Sequence, residues 1–346
     1  MNKIRVAVLM GGKTPEYDVS LATGREVVKN LDFHKFDVLP IVISRDGQKW
    51  QALPVEKFLK LQTTIYQTPD QNKKQELALV SSQPQNQAVL KEQKIDVVFI
   101  AMHGPYGEDG TVQGLLDLLG IPYTCSGVLA SALGMDKIMF RKVLKAEKIV
   151  YPRYLVFKKG DQEKSVWQFF RKLPLFIKPY NQGSSVGASI VHTQKELKKA
   201  LQKAFGYSNP VLIEEYLKGM EISCAVLGND NPWALPLAEI EPKNEFFDYE
   251  AKYSEGKSEE IVPARISQSL TKKIQEISVK VFKAINARGV ARVEFIIVKN
   301  KPFVLEINTI PGLCAASIVP KEAKEANLSY PQLLERIIKL ALEKKP

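Results

Sequence analysis

The sequence predicts an α/β protein that opens with a parallel sheet and continues into further units of mixed strands and helices. Three observations predict it. Strand-like and helix-like segments alternate from the first residues, as parallel strands joined by crossover helices do. Glycine-containing breaks, Gly11-Gly12 and His103-Gly104, stand at the carboxyl ends of two such strands, where open sheets bind ligands. The chain is 346 residues long, which calls for two or three domains rather than one core.

The elements follow in order. Ile4–Met10 is a continuous β-prone run, broken by Gly11-Gly12. It reads as a buried first strand, too short in apolar length for a signal-peptide core. Val19–Leu31 carries apolar residues at helical spacing, and Phe36–Ile43 is a second strand whose Pro40 predicts an edge position or a bulge. Residues 62–94, rich in Gln, Asn and Ser, read as a surface excursion or hairpin without visible chemistry. Asp96–Met102 is a third strand. A helix is predicted from Ser131 to about Lys148. Pro152 and Pro174 bracket a strand at Tyr154–Phe157 and a helix near Ser165–Lys172. Strands follow at Leu175–Lys178, Val211–Glu215, Glu221–Leu227, Ala291–Val298 and Phe303–Ile307, and helices at Leu270–Ala287 and Tyr330–Lys344.

Composition narrows the class. Hydrophobic residues make up 45% and charged residues 25%, which fits a soluble globular protein rather than a disordered one. No apolar stretch approaches the roughly 18–20 residues of a membrane helix. Cys125, Cys224 and Cys314 are scattered and odd in number, so no disulfide framework is predicted and a reducing cytoplasm is favoured. The three histidines are equally scattered, which argues against a zinc cluster. With 49 Lys and Arg against 38 Asp and Glu, the net charge is +11, and an anionic partner follows as an expectation. Eleven basic against four acidic residues between Asp136 and Lys172 put most of the surplus in the middle third.

Several segments carry chemistry. Gly183-Ser184-Ser185-Val186-Gly187 follows a strand ending in Lys178. Small residues free backbone N–H groups for anionic oxygens, hydroxyls add donors and the lysine adds charge. It is neither a Walker A sequence nor a Rossmann fingerprint, and it fits a phosphate-covering loop and a plain turn equally well. Glu306 and Asn308 share a strand face, as do Arg292 and Glu294. If the two strands pair as a hairpin around Lys299–Lys301, two carboxylates and an amide converge beside an arginine, a set suited to Mg²⁺. The competing reading is a salt-bridged face. Pro311-Gly312 turns the chain, and a glycine amide beside an arginine suits an oxyanion hole. Asp248–Tyr253 fits a lid that closes Lys252 and Tyr253 on a ligand, although on these residues alone a solvated charged loop is the favoured reading. Glu16 fits a ligand amine site or a cap residue. His103 with Gly107-Glu108-Asp109-Gly110 fits a metal or base site, or a turn and helix cap.

Taken in order, these segments resemble the D-alanine–D-alanine ligases of the ATP-grasp superfamily. The resemblance runs nearly end to end, through Gly11-Gly12 with Glu16, His103-Gly104, Gln113-Gly114, Met135-Asp136-Lys137, Lys178-Pro179, Gly183–Gly187, Asp248–Tyr253 and Glu306–Gly312. It implies a Rossmann-like N-terminal open parallel-sheet domain over residues 1–128. A two-domain ATP-grasp fold would follow, with a central domain over 129–210 and a C-terminal catalytic domain over 211–346. It further implies a cytoplasmic enzyme of peptidoglycan precursor synthesis that uses ATP and Mg²⁺ or Mn²⁺, two ions in all. The family is typically homodimeric, and neither nucleic acid nor membrane is an expected partner.

Roles carry over as implications of that resemblance. Lys137 and Lys178 match the nucleotide-phosphate lysines, joined by Lys252 from the mobile loop. Glu214 matches the adenine amino acceptor, Tyr216 the aromatic beside adenine, Leu217 the hinge backbone and Glu221 the ribose acceptor. Ser184 and Ser185 match the loop over the phosphates. Glu294, Glu306 and Asn308 match the metal ligands, and Arg292 and the Gly312 amide the oxyanion stabilisers. Glu16 matches the holder of the first D-alanine's ammonium, with His103 in the same substrate region. Ser317 and Ile318 match the pocket for the second carboxylate. Tyr253 matches the loop tyrosine that joins Ser184 and Glu16, which favours an amino acid over a hydroxy acid as second substrate. The sequence departs from the family at Glu294, usually Asp, at Gln182, usually Glu, and at Cys125, Arg141 and Leu313–Ala316. The alternative within the family is a ligase making D-Ala–D-Ser or D-Ala–D-lactate. Outside it stand a nucleic-acid binder using the basic charge and a catalytically silent nucleotide-binding regulator.

Overall fold

The computed structural model describes residues 3–60, 88–242, 258–314 and 317–343. The first sheet has the order β3-β2-β1-β4, with β1 (Ile4–Gly11), β2 (Phe36–Ile43), β3 (Trp50–Ala52) and β4 (Val97–Ile100). Both β2 and β4 run parallel to β1, and α1 (Tyr17–Asn30) is the crossover between β1 and β2. β1 is buried from Val6 onward, as its unbroken apolar run requires of a strand covered on both faces. Pro40 behaves differently from expectation, because β2 is an interior strand flanked by β1 and the short antiparallel β3. Its carbonyl accepts from Leu53 N at 2.9 Å, beyond the end of the β3 ladder. A residue's N–H and C=O face the same side of a strand, so the missing donor falls where no ladder partner waits. Of the expected surface excursion, residues 62–87 lie outside the described residues. The short helices α2 (Val55–Lys60) and α3 (Ala88–Glu92) flank them.

After α4 (Thr111–Leu119) the sequence predicts one helix to Lys148, whereas the structure has two, α5 (Val128–Met135) and α6 (Lys137–Ala146). Asp136 causes the break. Its backbone is extended, and its side chain accepts from Ile138 N and Met139 N, both at 2.9 Å, capping α6. The break puts Lys137 in the first turn of α6, aimed inward.

The second sheet is antiparallel, with the order β5-β8-β6-β7, from β5 (Tyr154–Phe157), β6 (Leu175–Pro179), β7 (Ser189–Val191) and β8 (Val211–Glu215). The helices α7 (Lys164–Phe170) and α8 (Gln194–Phe205) supply Val166, Phe170, Leu197 and Leu201 to its core. β8 belongs to this sheet, five residues past the expected division at 210/211.

The third sheet is antiparallel as well, ordered β12-β11-β9-β13-β14, with β10 beside β9. Its strands are β9 (Met220–Gly228), β10 (Trp233–Ala234), β11 (Ala238–Pro242), β12 (Ser258–Ile261), β13 (Gly289–Val298) and β14 (Lys301–Asn308). One face packs Ile222, Cys224, Val226 and Val293 against α9 (Gln268–Ala284). The other face carries Glu221, Ser223, Arg292, Glu294, Glu306 and Asn308.

Two helices close the chain, α10 (Ile318–Glu325) and α11 (Tyr330–Leu342). They return to the beginning: Leu333, Leu334, Ile337 and Ile338 share one apolar cluster with Val8, Phe99 and Ile100 of the first sheet. Among the described residues, no helix is long and apolar enough to cross a membrane. Ile338 is fully buried in the shared cluster. Ile338→Ala is therefore expected to lower unfolding stability by about 2–5 kcal/mol, read by chemical denaturation.

Candidate functional site

The glycine-rich breaks at the ends of β1 and β4 meet. Thr14 Oγ1 donates to the His103 carbonyl at 2.9 Å and accepts from Glu16 N at 3.1 Å. Gly104 has φ +70°, and a Cβ there would stand 2.6 Å from Glu16 Oε2, so only glycine fits beside the carboxylate. Glu16 occupies the N-cap of α1, yet its side chain caps nothing. The carboxylate is buried and instead accepts the Ser184 hydroxyl proton in a short hydrogen bond. That contact joins the first sheet to the loop after β6. Ser184 and Ser185 have φ +48° and +58°, a region that side-chain-bearing residues rarely adopt, and such strain is typical of functional loops.

His103 is buried, with both ring nitrogens engaged inside the protein. Nε2 lies 2.8 Å from Thr23 Oγ1 and Nδ1 lies 3.4 Å from Glu108 Oε1. Burial works against a charged imidazolium, but the Glu108 carboxylate outweighs it and leaves the His103 pKa above its ordinary value. Burial likewise raises the Glu108 carboxyl. Asp109 takes the plainer of its two readings: it accepts from Tyr106 N and Thr111 N and shapes the turn into α4.

The two lysines expected at the nucleotide lie on acidic partners. Lys137 Nζ donates to the Gln182 carbonyl at 2.7 Å and sits 3.3 Å from Glu306 Oε2. Lys178 Nζ sits 2.8 Å from Glu214 Oε2, while Arg141 donates to Glu214 Oε1 from Nη2 at 2.7 Å and Nε at 3.2 Å. Arg141 also reaches Val304 O of β14 at 3.1 Å. All three charged groups are buried. Burial would raise the Glu214 carboxyl, but Lys178 and Arg141 hold it below the usual range. Burial pushes the Lys178 ammonium down. A cleft lined in part by Pro174, Glu215, Tyr216 and Leu217 borders this cluster in sequence, and Tyr216 N donates to Pro174 O at 3.2 Å. Glu221 stands on the open face of β9, on the rung of Ile296.

The expected hairpin is present. Glu294 pairs with Glu306 and Arg292 with Asn308 across β13 and β14, so all four side chains share a face. Arg292 Nε lies 2.6 Å from Glu294 Oε1. Among the described residues, no group of three or more His, Cys, Asp and Glu could hold a metal. The donor set is two carboxylates and the Asn308 amide, whose Oδ1 also accepts from Ile310 N at 3.0 Å. Hard oxygen donors beside an ammonium that already balances Glu306 fit a small divalent cation. The Gly312 turn lies against α10: a Cβ at Gly312 would stand 3.1 Å from Ser317 Oγ, and Ile318 follows Ser317 into the helix. Lys252 and Tyr253 lie outside the described residues.

The structure thus brings Glu16 to Ser184, Lys137 to Glu306, Lys178 to Glu214 and Gly312 to Ser317. Sequence reasoning missed Thr14, Thr23, the Arg141–Glu214 pair and Glu322. Arg141 carried a signal, since it falls on the same α6 face as Lys137 and the buried Leu144. Glu322 carried none.

The comparisons agree along the whole chain. The family description "D-ala D-ala ligase N-terminus" matches residues 5–126, and "D-ala D-ala ligase C-terminus" matches residues 143–339. The D-alanine–D-alanine ligase of Halothermothrix orenii is 40% identical over 350 residues, covering 99% of each chain. The solved D-alanine-D-alanine ligase from Coxiella burnetii superposes with a TM-score of 0.82 at 31% identity, covering 99% of this chain and 95% of that one. That from Bacillus anthracis, complexed with ATP, gives 0.75 at 31% identity, covering 98% and 97%. This chain belongs to the D-alanine–D-alanine ligase family, and its fold is that family's ATP-grasp architecture behind an open parallel sheet.

Proposed function

We propose that this protein joins two D-alanine molecules into D-alanyl-D-alanine with ATP, as a step of peptidoglycan precursor synthesis. A carboxylate is a poor electrophile, so phosphorylation must supply its leaving group. A carboxylate oxygen of the first D-alanine attacks the γ-phosphorus of ATP. The bond from that phosphorus to the bridging oxygen breaks, giving an acyl phosphate and ADP. The second D-alanine, its amine deprotonated, attacks the acyl carbon. Phosphate leaves with the C–O electron pair, and the surplus proton on the new amide nitrogen passes to the departing phosphate. The observation that carries this reading is the Glu16–Ser184 hydrogen bond, which sets the amine-holding carboxylate against the loop over the phosphates.

In this reading Glu16 holds the first ammonium, with His103 packed behind it. Ser184 and Ser185 cover the phosphates. Lys137 and Lys178 exchange Glu306 and Glu214 for phosphate oxygens, and Lys252 joins them from its loop. Glu214, Tyr216, Leu217 and Glu221 take the adenosine. Arg292 and the Gly312 amide stabilise charge on the acyl oxygen. Ser317 and Ile318 receive the second carboxylate, and Tyr253 closes on Ser184 and Glu16. Glu294, Glu306 and Asn308 would hold Mg²⁺ or Mn²⁺, which when bound screens phosphate charge. The domain limits 1–128, 129–210 and 211–346 remain our working division, with β8 assigned to the central sheet. A homodimer in the cytoplasm completes the proposal.

The purified protein is expected to release phosphate from ATP only with D-alanine and a divalent cation, and mass spectrometry is expected to find the dipeptide. Absence of D-alanine-dependent phosphate release rejects the activity. Competition among D-alanine, D-serine and D-lactate is expected to yield the D-alanine dipeptide as main product. Glu306→Ala is expected to lower kcat by about 100-fold or more, and chelation of the divalent ion is expected to abolish turnover. Arg141→Met leaves Glu214 half-compensated in a buried site. It is expected to lower unfolding stability by about 3–5 kcal/mol and to raise the KM for ATP more than that for D-alanine.

A further inference from the structure

Glu322 lies on α10, one turn beyond Ser317 and Ile318. Its side chain is fully buried and has no part in the reaction set out above. Oε2 accepts from Ala225 N at 3.0 Å. Ala225 lies on β9 at the rung opposite Arg292. The Ala225 carbonyl accepts from Leu235 N at 2.8 Å, and β11 joins β9 only from the Ala238–Ser223 pair onward. The Ala225 amide therefore faces an opening in the ladder, which the Glu322 carboxyl closes.

The same helix is fixed at its other end. Ser317 N donates to Cys314 O at 2.7 Å, Ser317 Oγ crowds Gly312, and Ile318 packs on Ala238 and Ile240. A second polar tie, Lys321 to Glu260, lies toward β12. One short helix thus reaches the Arg292 rung through Glu322 and the Gly312 turn through Ser317.

A carboxyl is a costly choice for this position. Burial pushes its pKa up to about 8, against the pull of Arg292 and of the backbone amides of Ala225 and Ala238. An apolar side chain would avoid that cost but leave the Ala225 amide without an acceptor.

We propose that Glu322 is a positioning residue for the second amino acid: it clamps α10 to the Arg292 rung of β9 and so sets the spacing between the Ser317–Ile318 pocket and the Arg292 guanidinium. The inference rests on assigning that pocket to the second D-alanine. A pocket displaced by a fraction of an ångström would weaken acceptor binding and its alignment on the acyl carbon, while the nucleotide lysines stay where they are.

The test is steady-state kinetics of the full-length protein, with the acceptor-site KM for D-alanine and the KM for ATP measured separately in wild type, Glu322→Ala, Glu322→Gln and Glu322→Asp. Glu322→Ala is expected to raise the acceptor-site KM about tenfold or more and the KM for ATP by less than about twofold. Glu322→Gln keeps an oxygen for the Ala225 amide and is expected to restore the acceptor-site KM to within about threefold of wild type. Should Glu322→Ala fail to fold in thermal melts, Glu322→Asp decides, because it keeps the carboxylate but withdraws it by one methylene. It is expected to raise the acceptor-site KM alone. Folded variants with a wild-type acceptor-site KM, a parallel rise in both KM values, or a Gln variant as impaired as Ala would each overturn the inference. A wild type that forms no dipeptide rejects the proposed activity and this inference with it. An active wild type with indifferent variants rejects this inference alone.

Discussion

The buried cluster of Arg141, Glu214 and Lys178 is the constraint on which the proposed nucleotide side depends. Three elements supply it: helix α6, strand β8 and strand β6. A single ion in that position would lose its hydration with nothing in return, so Arg141 and Lys178 each require Glu214, and Glu214 is held by both. Arg141 extends the cluster by donating to Val304 of β14, which fastens the central sheet to the third sheet. Charge and hydrogen bonding therefore tie these two sheets together. Lys178 rests on the Glu214 carboxylate.

The proposed substrate side depends on a different contact. Glu16 and Ser184 are separated by most of two sheets in sequence, yet one hydrogen bond joins them. Reaching it requires glycine at 104, because any Cβ would strike the carboxylate, and left-handed backbone at Ser184 and Ser185. Each feature has a local cost, and together they hold a buried carboxylate beside the Gly183–Gly187 loop. A structure under selection for stability alone would have no reason to keep this combination.

Much of this was legible in the residues. The apolar runs of β1 and β4 announced a sheet covered on both faces, and the spacing of Arg292, Glu294, Glu306 and Asn308 announced one shared face before any pairing was known. Asp136 was harder. Its neighbours carry helical periodicity on both sides, and only its capping bonds reveal that two helices meet there. Pro40 misled because proline disrupts a ladder only on the side its nitrogen faces, and sequence does not say which side that is. Thr23 and Glu322 act through contacts with residues that pattern alone does not bring near them, whereas Glu108 meets the His103 it was grouped with. The pairing of α11 with the first sheet left no local trace at all, since an amphipathic helix shows that it has a partner but not which one.

That last pairing bears on how the chain is made. The first sheet is complete in sequence by Ile100, but the helix that shares its apolar cluster begins at Tyr330. At about 5–20 residues per second, roughly ten seconds to a minute of translation separates the two. Through that interval the nascent sheet carries an incompletely covered greasy surface beside an emerging, strongly basic middle segment. Holdase chaperones that shield such surfaces therefore have their period of greatest use before α11 leaves the ribosome, and the carboxyl ends of β1 and β4 stand on an incompletely covered sheet until then.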